Sequence, residues 1–378
     1  MKEVKLQEIC RIEKGKQIDT SQLSTDSPYK YINGGIKESG YYHEYNTDSE
    51  AVLVSEGGAS CGYVNYVNEK FWCGCHCYKL TESKTLAKYL YYALKGNQDK
   101  IMELRSGAAM PNIKKEVFKN MSLLVDFDKN NQQAIVETLD CIQKAINNKA
   151  DELLSLDELV KSRFIEMFGE PLSESYTTPL SQACIFNPKK SEKKDWTDET
   201  IISFIPMPLV SEHGEINTGT LKTYKKVKTG FTYFRENDVL FAKITPCMEN
   251  GKGAIAQNLK NGIGFGSTEF HVLRPIEGVS NPYWIYYLTA IDSFRIMAEK
   301  KMTGSAGQKR VPISFFENMK VNLPPIELQN EFAEFVKLID KSKFVCHSKN
   351  FLCDIFTFSS STIAYPSVVS IFVCPKRC

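Results

Sequence analysis

Long apolar runs are scarce in this sequence. The longest late one, VVSIFV at 368–373, is far too short to span a bilayer, and no charged segment followed by an apolar stretch opens the chain. These absences argue against membrane insertion and secretion, so a cytoplasmic globular protein is expected. Net charge is nearly absent as well: 47 Lys and Arg stand against 45 Asp and Glu, leaving +2. That balance does not announce a nucleic-acid binder by itself, and any such role must rest on local clusters of charge. Histidine occurs only at 43, 76, 213, 271 and 347, without the spacing of a metal site or a nucleophile pair. No metal and no cofactor is expected in this chain.

Two short stretches imitate catalytic or metal motifs. CGCHC at 73–77 carries the right residue types for zinc. On a strand, however, Cys73, Cys75 and Cys77 would share one face and His76 the other, and no second Cys-x-x-Cys pair accompanies them, so a buried strand of small thiols is expected. The 12 cysteines of this long chain are expected to be reduced thiols rather than a disulfide framework. NPYW at 281–284 is similar to the Asn-Pro-Pro-Tyr signature of adenine methyltransferases with one proline missing. No glycine-rich strand-turn-helix for S-adenosylmethionine supports it, and it is expected to open a helix.

What the chain does contain is itself, twice. FKNM (118–121) returns as FENM (316–319), YLYYAL (89–94) as WIYYLT (284–289), and SGAAMPNI (106–113) as TGSAGQKRVPI (303–313). KLQEIC (5–10) faces PLSQAC (179–184), and VLVSEGGASCGYV (52–64) faces VLFAKITPCMENGKGAI (239–255). Downstream, QQAIVETLDCIQK from Gln132 aligns with QNEFAEFVKLIDK from Gln329. A chain of 378 residues with 42% hydrophobic content can bury about two ordinary cores, in agreement with the repeat.

Within each copy the pattern changes once. Residues 1 to about 128 read as short strands cut by Gly-Gly and Asn-Gly turns, with one helix over 85–104 that Gly96 weakens or bends. From Ile135 the apolar residues Leu139, Ile142, Ile146, Leu153, Leu156, Val160 and Met167 step by fours and threes, with Lys149 and Arg163 in the two missing places. That is the seam of a long helix that pairs with another helix, ended by Gly169 and Pro171. Residues 171 to about 325 repeat the mixed pattern, and Phe332, Val336 and Ile339 begin the second seam. This helix should reach about residue 365, yet after Phe344 the text holds a Ser run, two prolines and four cysteines without a heptad. The tail is either a divergent end or the product of a slipped reading frame that truncates the helix, and the second reading is favoured.

With ENDVLFAKITPCMENGKGAI, GSAGQKRVPI and LPPIELQNEF in order in the second copy, the chain resembles the specificity subunit of type I restriction-modification systems. The likeness spans residues 1 to about 345 and is looser in the first copy. It implies an α+β fold: a target-recognition domain at 1–128, a central spacer helix at 129–170, a second target-recognition domain at 171–325 and a distal spacer helix at 326–345, with the divergent tail at 346–378. The two helices would pair as an antiparallel coiled coil. The implied function is non-enzymatic: the chain directs adenine methylation and restriction, by partner subunits, to a bipartite gapped target in double-stranded DNA. S-adenosylmethionine, ATP and Mg would belong to the modification subunits, two in number by the pseudo-twofold repeat, and to the restriction subunits. A first helix of about 38 residues would be about 57 Å long, enough to hold two readers roughly one turn of DNA apart. A runner-up is a truncated or phase-variable copy with impaired assembly. The readings from other classes are a methyltransferase or nuclease, against which the missing motifs speak, and a coiled-coil interaction protein without a DNA role.

The candidate DNA-binding residues lie on Gly-rich or Lys-rich segments, where backbone and cations can approach phosphates and base edges. In the first copy they are Asn33, Lys37 and Ser39 on INGGIKESGYY, and Ser55, Glu56 and Ser60 on SEGGASCG. In the second they are Lys225, Lys226 and Lys228 among aromatics, then Lys243, Thr245, Asn250 and Lys252, and finally Gln308, Lys309 and Arg310. The plainer alternatives are hairpin turns and solvated faces.

Overall fold

The computed structural model describes residues 1–347 except 108–109, 172, 174, 193–195 and 306; the expected tail therefore lies, from residue 348 on, outside the described residues. The chain divides into two compact units, Met1–Asn148 and Lys149–Ser348.

In unit 1 the elements run β1 (Lys2–Lys5), α1 (Leu6–Ile9), β2 (Arg11–Lys14), β3 (Tyr29–Ile32), β4 (Gly40–Tyr42), β5 (Ala51–Ser55), β6 (Val64–Val67), β7 (Phe71–Cys73) and β8 (Cys77–Thr81). Then follow α2 (Ala87–Lys95), α3 (Gln98–Glu103), α4 (Lys115–Phe118) and β9 (Ser122–Val125), and α5 spans Lys129–Phe168. Strands β2-β8-β5-β6 form one antiparallel sheet and β4-β3-β7 a smaller one, in which β3 and β7 run parallel. Residues Val52 and Val54 of β5 and Tyr78 and Leu80 of β8 face the core that Tyr89, Leu90 and Leu94 of α2 cover. The helix expected over 85–104 breaks at Gly96, which caps α2.

Unit 2 repeats this plan. Its elements are β10 (Thr178–Pro179), β11 (Cys184–Phe186), β12 (Ile201–Ile205), β13 (Leu221–Thr223), β14 (Thr232–Arg235), β15 (Val239–Ala242), β16 (Gly253–Ile255), β17 (Ile263–Gly266) and β18 (Phe270–Pro275). After them come α6 (Pro282–Ala290), α7 (Asp292–Lys300), α8 (Ile313–Glu317), β19 (Lys320–Val321) and α9 (Ile326–His347). The sheet β11-β18-β15-β16 matches β2-β8-β5-β6 strand for strand, and β13-β12-β17-β14 matches β4-β3-β7 with β14 added. The parallel pair recurs as β12 and β17.

The repeated tetrapeptide has a structural task. Phe118 and Phe316 are fully buried, and the carbonyls of Met121 and Met319 accept the Leu6 and Leu180 amides at 2.9 and 3.0 Å. These bonds continue into the ladders β1-β9 and β10-β19, which tie the start of each domain to the strand before its long helix. Gln132 and Gln329 are also fully buried and play one role twice. Gln132 Oε1 accepts from the Leu86 amide at 2.8 Å while its Nε2 donates to the Asp126 carbonyl at 2.6 Å. Gln329 Oε1 accepts from the Asn281 amide at 2.8 Å, and its Nε2 donates to the Pro324 and Val279 carbonyls at 2.8 and 3.0 Å. Each glutamine pins the first turns of a long helix to the start of α2 or α6. NPYW serves the same junction: Asn281 accepts from the Tyr283 amide as the N-cap of α6, with Pro282 in the first helical turn.

The long helices also contact each other. In unit 2, Phe164 and Phe168 of α5 pack edge-on against Phe332 of α9, with centroids 5.5 and 5.4 Å apart. Arg163 lies 3.5 Å from Glu331, and Asp157 pairs with Lys343. Rising numbers on α5 meet falling numbers on α9, so the pair is antiparallel. Of the expected seam, Ile135, Leu139, Val160, Phe332 and Val336 are buried, Ile142, Leu153, Leu156, Met167 and Ile339 are half-buried, and Ile146 is exposed. The stripe buried at the end of α5 is Val160, Phe164 and Phe168, spaced by four throughout, so two phenylalanines lie outside the seven-residue pattern. Four-residue spacing follows one ridge of a straight helix packed on a globular core, whereas the heptad describes a supercoiled seam.

Candidate nucleic-acid interface

Three segments far apart in sequence meet in unit 1. Where β5 ends, the Glu56 amide donates to the His76 carbonyl at 2.8 Å, and the Glu56 carbonyl accepts from the Ile113 amide at 2.9 Å. The Gly58 amide donates to the Pro111 carbonyl at 3.0 Å, and Ser106 and Asn112 exchange both backbone bonds at 2.9 Å. The Tyr78 hydroxyl lies 2.9 Å from the Ile113 carbonyl. Unit 2 repeats the arrangement bond for bond. The Lys243 amide donates to the Glu269 carbonyl at 2.9 Å, its carbonyl accepts from Val311 at 2.9 Å, and Thr303 and Arg310 exchange bonds at 3.0 and 2.8 Å. His271 Nε2 lies 2.8 Å from the Val311 carbonyl, the place of the Tyr78 hydroxyl.

The two clasps share a backbone and differ in charge. Glu56, His76 and Asn112 in unit 1 correspond to Lys243, Glu269 and Arg310 in unit 2. The Glu56 carboxylate is mostly buried, 2.7 Å from Lys14 Nζ and 3.1 Å from the Tyr78 hydroxyl. Burial, then the nearby Glu56 charge, push the Tyr78 hydroxyl well above the usual tyrosine range, so it stays a proton donor. In unit 2, Glu269 receives Arg310 through two parallel bonds of 2.9 and 2.8 Å, which hold its carboxyl below the usual range. Burial lowers the affinity of half-buried Lys243 for its proton, and the neighbouring Arg310 works the same way against the opposing pull of Glu269.

The candidate residues distribute unevenly over this frame. Lys243, Thr245, Lys309 and Arg310 come together, since the Thr245 amide donates to the Lys309 carbonyl at 3.0 Å. Gln308 and Lys309 are exposed, as is Asn250, while Lys252 is half-buried with its carbonyl bonded to Ala242. Thr245 Oγ1 donates to Glu249 at 2.6 Å. Lys225 and Lys226 stand exposed on a single helical turn, and Lys228 pairs with Asp198 at 2.9 Å. In unit 1, Asn33 Oδ1 accepts from the His76 amide at 3.1 Å, which places it at the clasp with Glu56. Ser55 is buried, Ser60 half-buried, and Lys37 and Ser39 exposed. The basic run NPKK directly after β11 places Lys189 and Lys190, both exposed, at the same sheet end as Lys243.

CGCHC forms a turn and not one strand: β7 ends at Cys73 and β8 begins at Cys77. A side-chain carbon on Gly74 would lie 2.3 Å from Asn33 Oδ1, so the amide-bonding asparagine requires glycine there. The turn is the counterpart of the one that carries Glu269. Among the described residues no three His, Cys, Asp or Glu side chains gather as metal ligands, and no helix is long and apolar enough to cross a membrane.

The family model for the type I restriction modification DNA specificity domain matches residues 1–156 and 181–349, once for each copy of the clasp. This chain belongs to that family. Specificity subunits are non-catalytic components of type I restriction-modification complexes. The chain is 43% identical over 169 residues to the EcoAI specificity subunit of Escherichia coli and 44% identical over 168 residues to the EcoEI one. These matches cover 43% and 44% of this chain but only 28% and 27% of those relatives, so the chain matches less than a third of their length. The crystal structure of the S subunit from M. genitalium superposes with a TM-score of 0.53 at 19% identity, covering 100% of this chain and 96% of that one. That likeness is one of fold: two mixed-sheet domains, each followed by a long helix.

Proposed function

We propose that this chain reads a bipartite, gapped sequence in double-stranded DNA and directs adenine methylation and restriction by partner subunits to it. Residues 1–128 and 171–325 are the two readers, and the helices at 129–170 and 326–345 space them and seat the partners. The observation that carries this reading is the doubled clasp: one backbone frame presents Glu56, His76 and Asn112 in one copy and Lys243, Glu269 and Arg310 in the other. A frame kept constant while its side chains change in charge, most sharply from Glu56 to Lys243, suits a recognition surface that must read two different half-sites. Two readers multiply specificity, because each correct base pair contributes only about 1–3 kcal/mol. Two modification subunits, bringing S-adenosylmethionine, and restriction subunits, bringing ATP and Mg, supply the chemistry in the cytoplasm.

The test is to express the chain with its neighbouring modification subunit in a host without other adenine methylation and to map methyladenine across the genome. A gapped two-part motif is the expected result. Absence of any motif, with a complete second helix restored, would refute the reading.

A further inference from the structure

Beside the unit 2 clasp lies a cleft of about 680 Å³ whose charged lining is Lys189, Lys190, Lys228 and Lys243, with no carboxylate among the described lining residues. Its position follows from the sheets. Strands β11, β18 and β15 are antiparallel neighbours, so the segment after Phe186, the start of β18 at Phe270 and the segment after Ala242 all emerge at one sheet end. The turn at 228–231 reaches the same end, because Thr232 pairs with Gly266 in the second sheet. Four cations are thereby collected from three separate segments. The two neutralising carboxylates stand outside the lining: Asp198 holds Lys228, and Glu269 is committed to Arg310. Lys190 donates to the Lys228 carbonyl, which joins two of the three cation-bearing segments. Lys189 and Lys190 are both exposed.

A set of ammonium groups with aromatic walls, here Phe231 and Phe270, suits a polyanion better than a single small anion, since one phosphate would fill a minor part of this volume. The corresponding positions of unit 1 carry less positive charge. The register of β2 on β8 and of β11 on β18 equates Lys14 with Pro188, so Gly15 stands where unit 2 has Lys189, Lys16 keeps a cation at the place of Lys190, and Glu56 stands where unit 2 has Lys243.

We infer that the unit 2 cleft is a phosphodiester-backbone site, with Lys189 and Lys190 as phosphate contacts that position the DNA without reading bases. The inference rests on the DNA-recognition reading above and deepens it: the second reader carries more of the sequence-independent affinity than the first. Phosphate contacts release counterions, so each one lost lowers the slope of log affinity against log salt by about 0.9. The experiment uses the complex of the full chain with its modification subunits and compares wild type, the double variant K189Q/K190Q, and K260Q as a control at the opposite end of β17. Binding to target and non-target duplexes is titrated from low to high salt, and methyladenine is mapped for each.

The double variant should lower the salt slope by about 2, weaken target and non-target binding alike, and leave the methylated motif unchanged, while K260Q should alter none of these. An unchanged slope, or an equal loss in K260Q, would overturn the backbone site while leaving DNA recognition intact. A changed motif would overturn it too, by making these lysines base readers. A wild-type complex that binds no duplex at all would bring down the recognition reading and the cleft with it.

Discussion

The paired glutamines permit a test in which each unit controls for the other. Gln329→Leu keeps the side chain's bulk but removes three hydrogen bonds, of 2.8, 2.8 and 3.0 Å, all to backbone groups around the start of α6 and α9. Gln132→Leu removes two, of 2.8 and 2.6 Å. At about 1 kcal/mol net for each bond, and more where a buried group is left without a partner, the expected losses are about 3 kcal/mol at Gln329 and about 2 kcal/mol at Gln132. The loss should stay local, because each glutamine bonds only within its own unit. Hydrogen exchange read by mass spectrometry reports it directly, since amide protection scales with the free energy of local opening. Protection of the segments at 279–290 and 326–336 should fall by roughly a hundredfold in Gln329→Leu and remain unchanged at 86–95, with the reverse pattern in Gln132→Leu. If either variant keeps its protection within about threefold of wild type, the glutamines do not pin the helices to the domains and the equivalence drawn between them has no energetic content.

Three other perturbations have defined outcomes. Phe332→Ala empties a fully buried site where the rings of Phe164, Phe168 and Tyr287 meet, so it should cost about 3–5 kcal/mol in denaturant unfolding of unit 2 and loosen α9 from α5. Asp238 and Arg274 form an almost fully buried pair with two bonds of 2.7 Å, so Asp238→Ala should cost about 3–5 kcal/mol, whereas replacing both by apolar residues should recover most of it. Burial lowers the His271 pKa from 6.5 to about 4, aided by the Lys243 charge and opposed by its bond to the Val311 carbonyl and by Glu269. The unfolded chain then binds the proton first, so stability is full above pH 6.5 and is lost as pH falls towards 4, by on the order of 3 kcal/mol. His271→Gln should flatten that part of the pH profile of unit 2, and a profile that keeps its slope would refute the assignment.

How much of this could be read from the sequence depended on whether the two copies solve a problem with the same residue. Gln132 and Gln329, Phe118 and Phe316, and Met121 and Met319 could be paired by eye because each sits in an identical buried environment. Tyr78 and His271 could not: both place a hydrogen-bonding group against the same carbonyl, yet they share no chemistry that an alignment would match. The clasps were half legible. AKITPCMENGKG and GSAGQKR are each recognisable as loops, but nothing local shows that Thr245 of one bonds Lys309 of the other, or that Glu269, which no local pattern marks, holds Arg310 beside them. Lys189 and Lys190 carry no such signal, because two lysines after a strand look like any solvated turn until the sheet order brings Lys228 and Lys243 alongside.

By itself, then, the sequence determined the duplication, the short-strand character of each copy, the long helices and the Gly-bearing turns, because periodicity, turn chemistry and repetition are local properties of a chain. The tertiary structure alone decided which residues share a surface. Antiparallel strand order gathers segments more than 50 residues apart at one sheet end, a helix packed on a globular core buries Phe164 and Phe168 outside the heptad, and the β7-β8 turn makes His76 part of a clasp. Spatial adjacency of this kind comes from the path of the backbone, and charge acquires its meaning only after that path has set its neighbours.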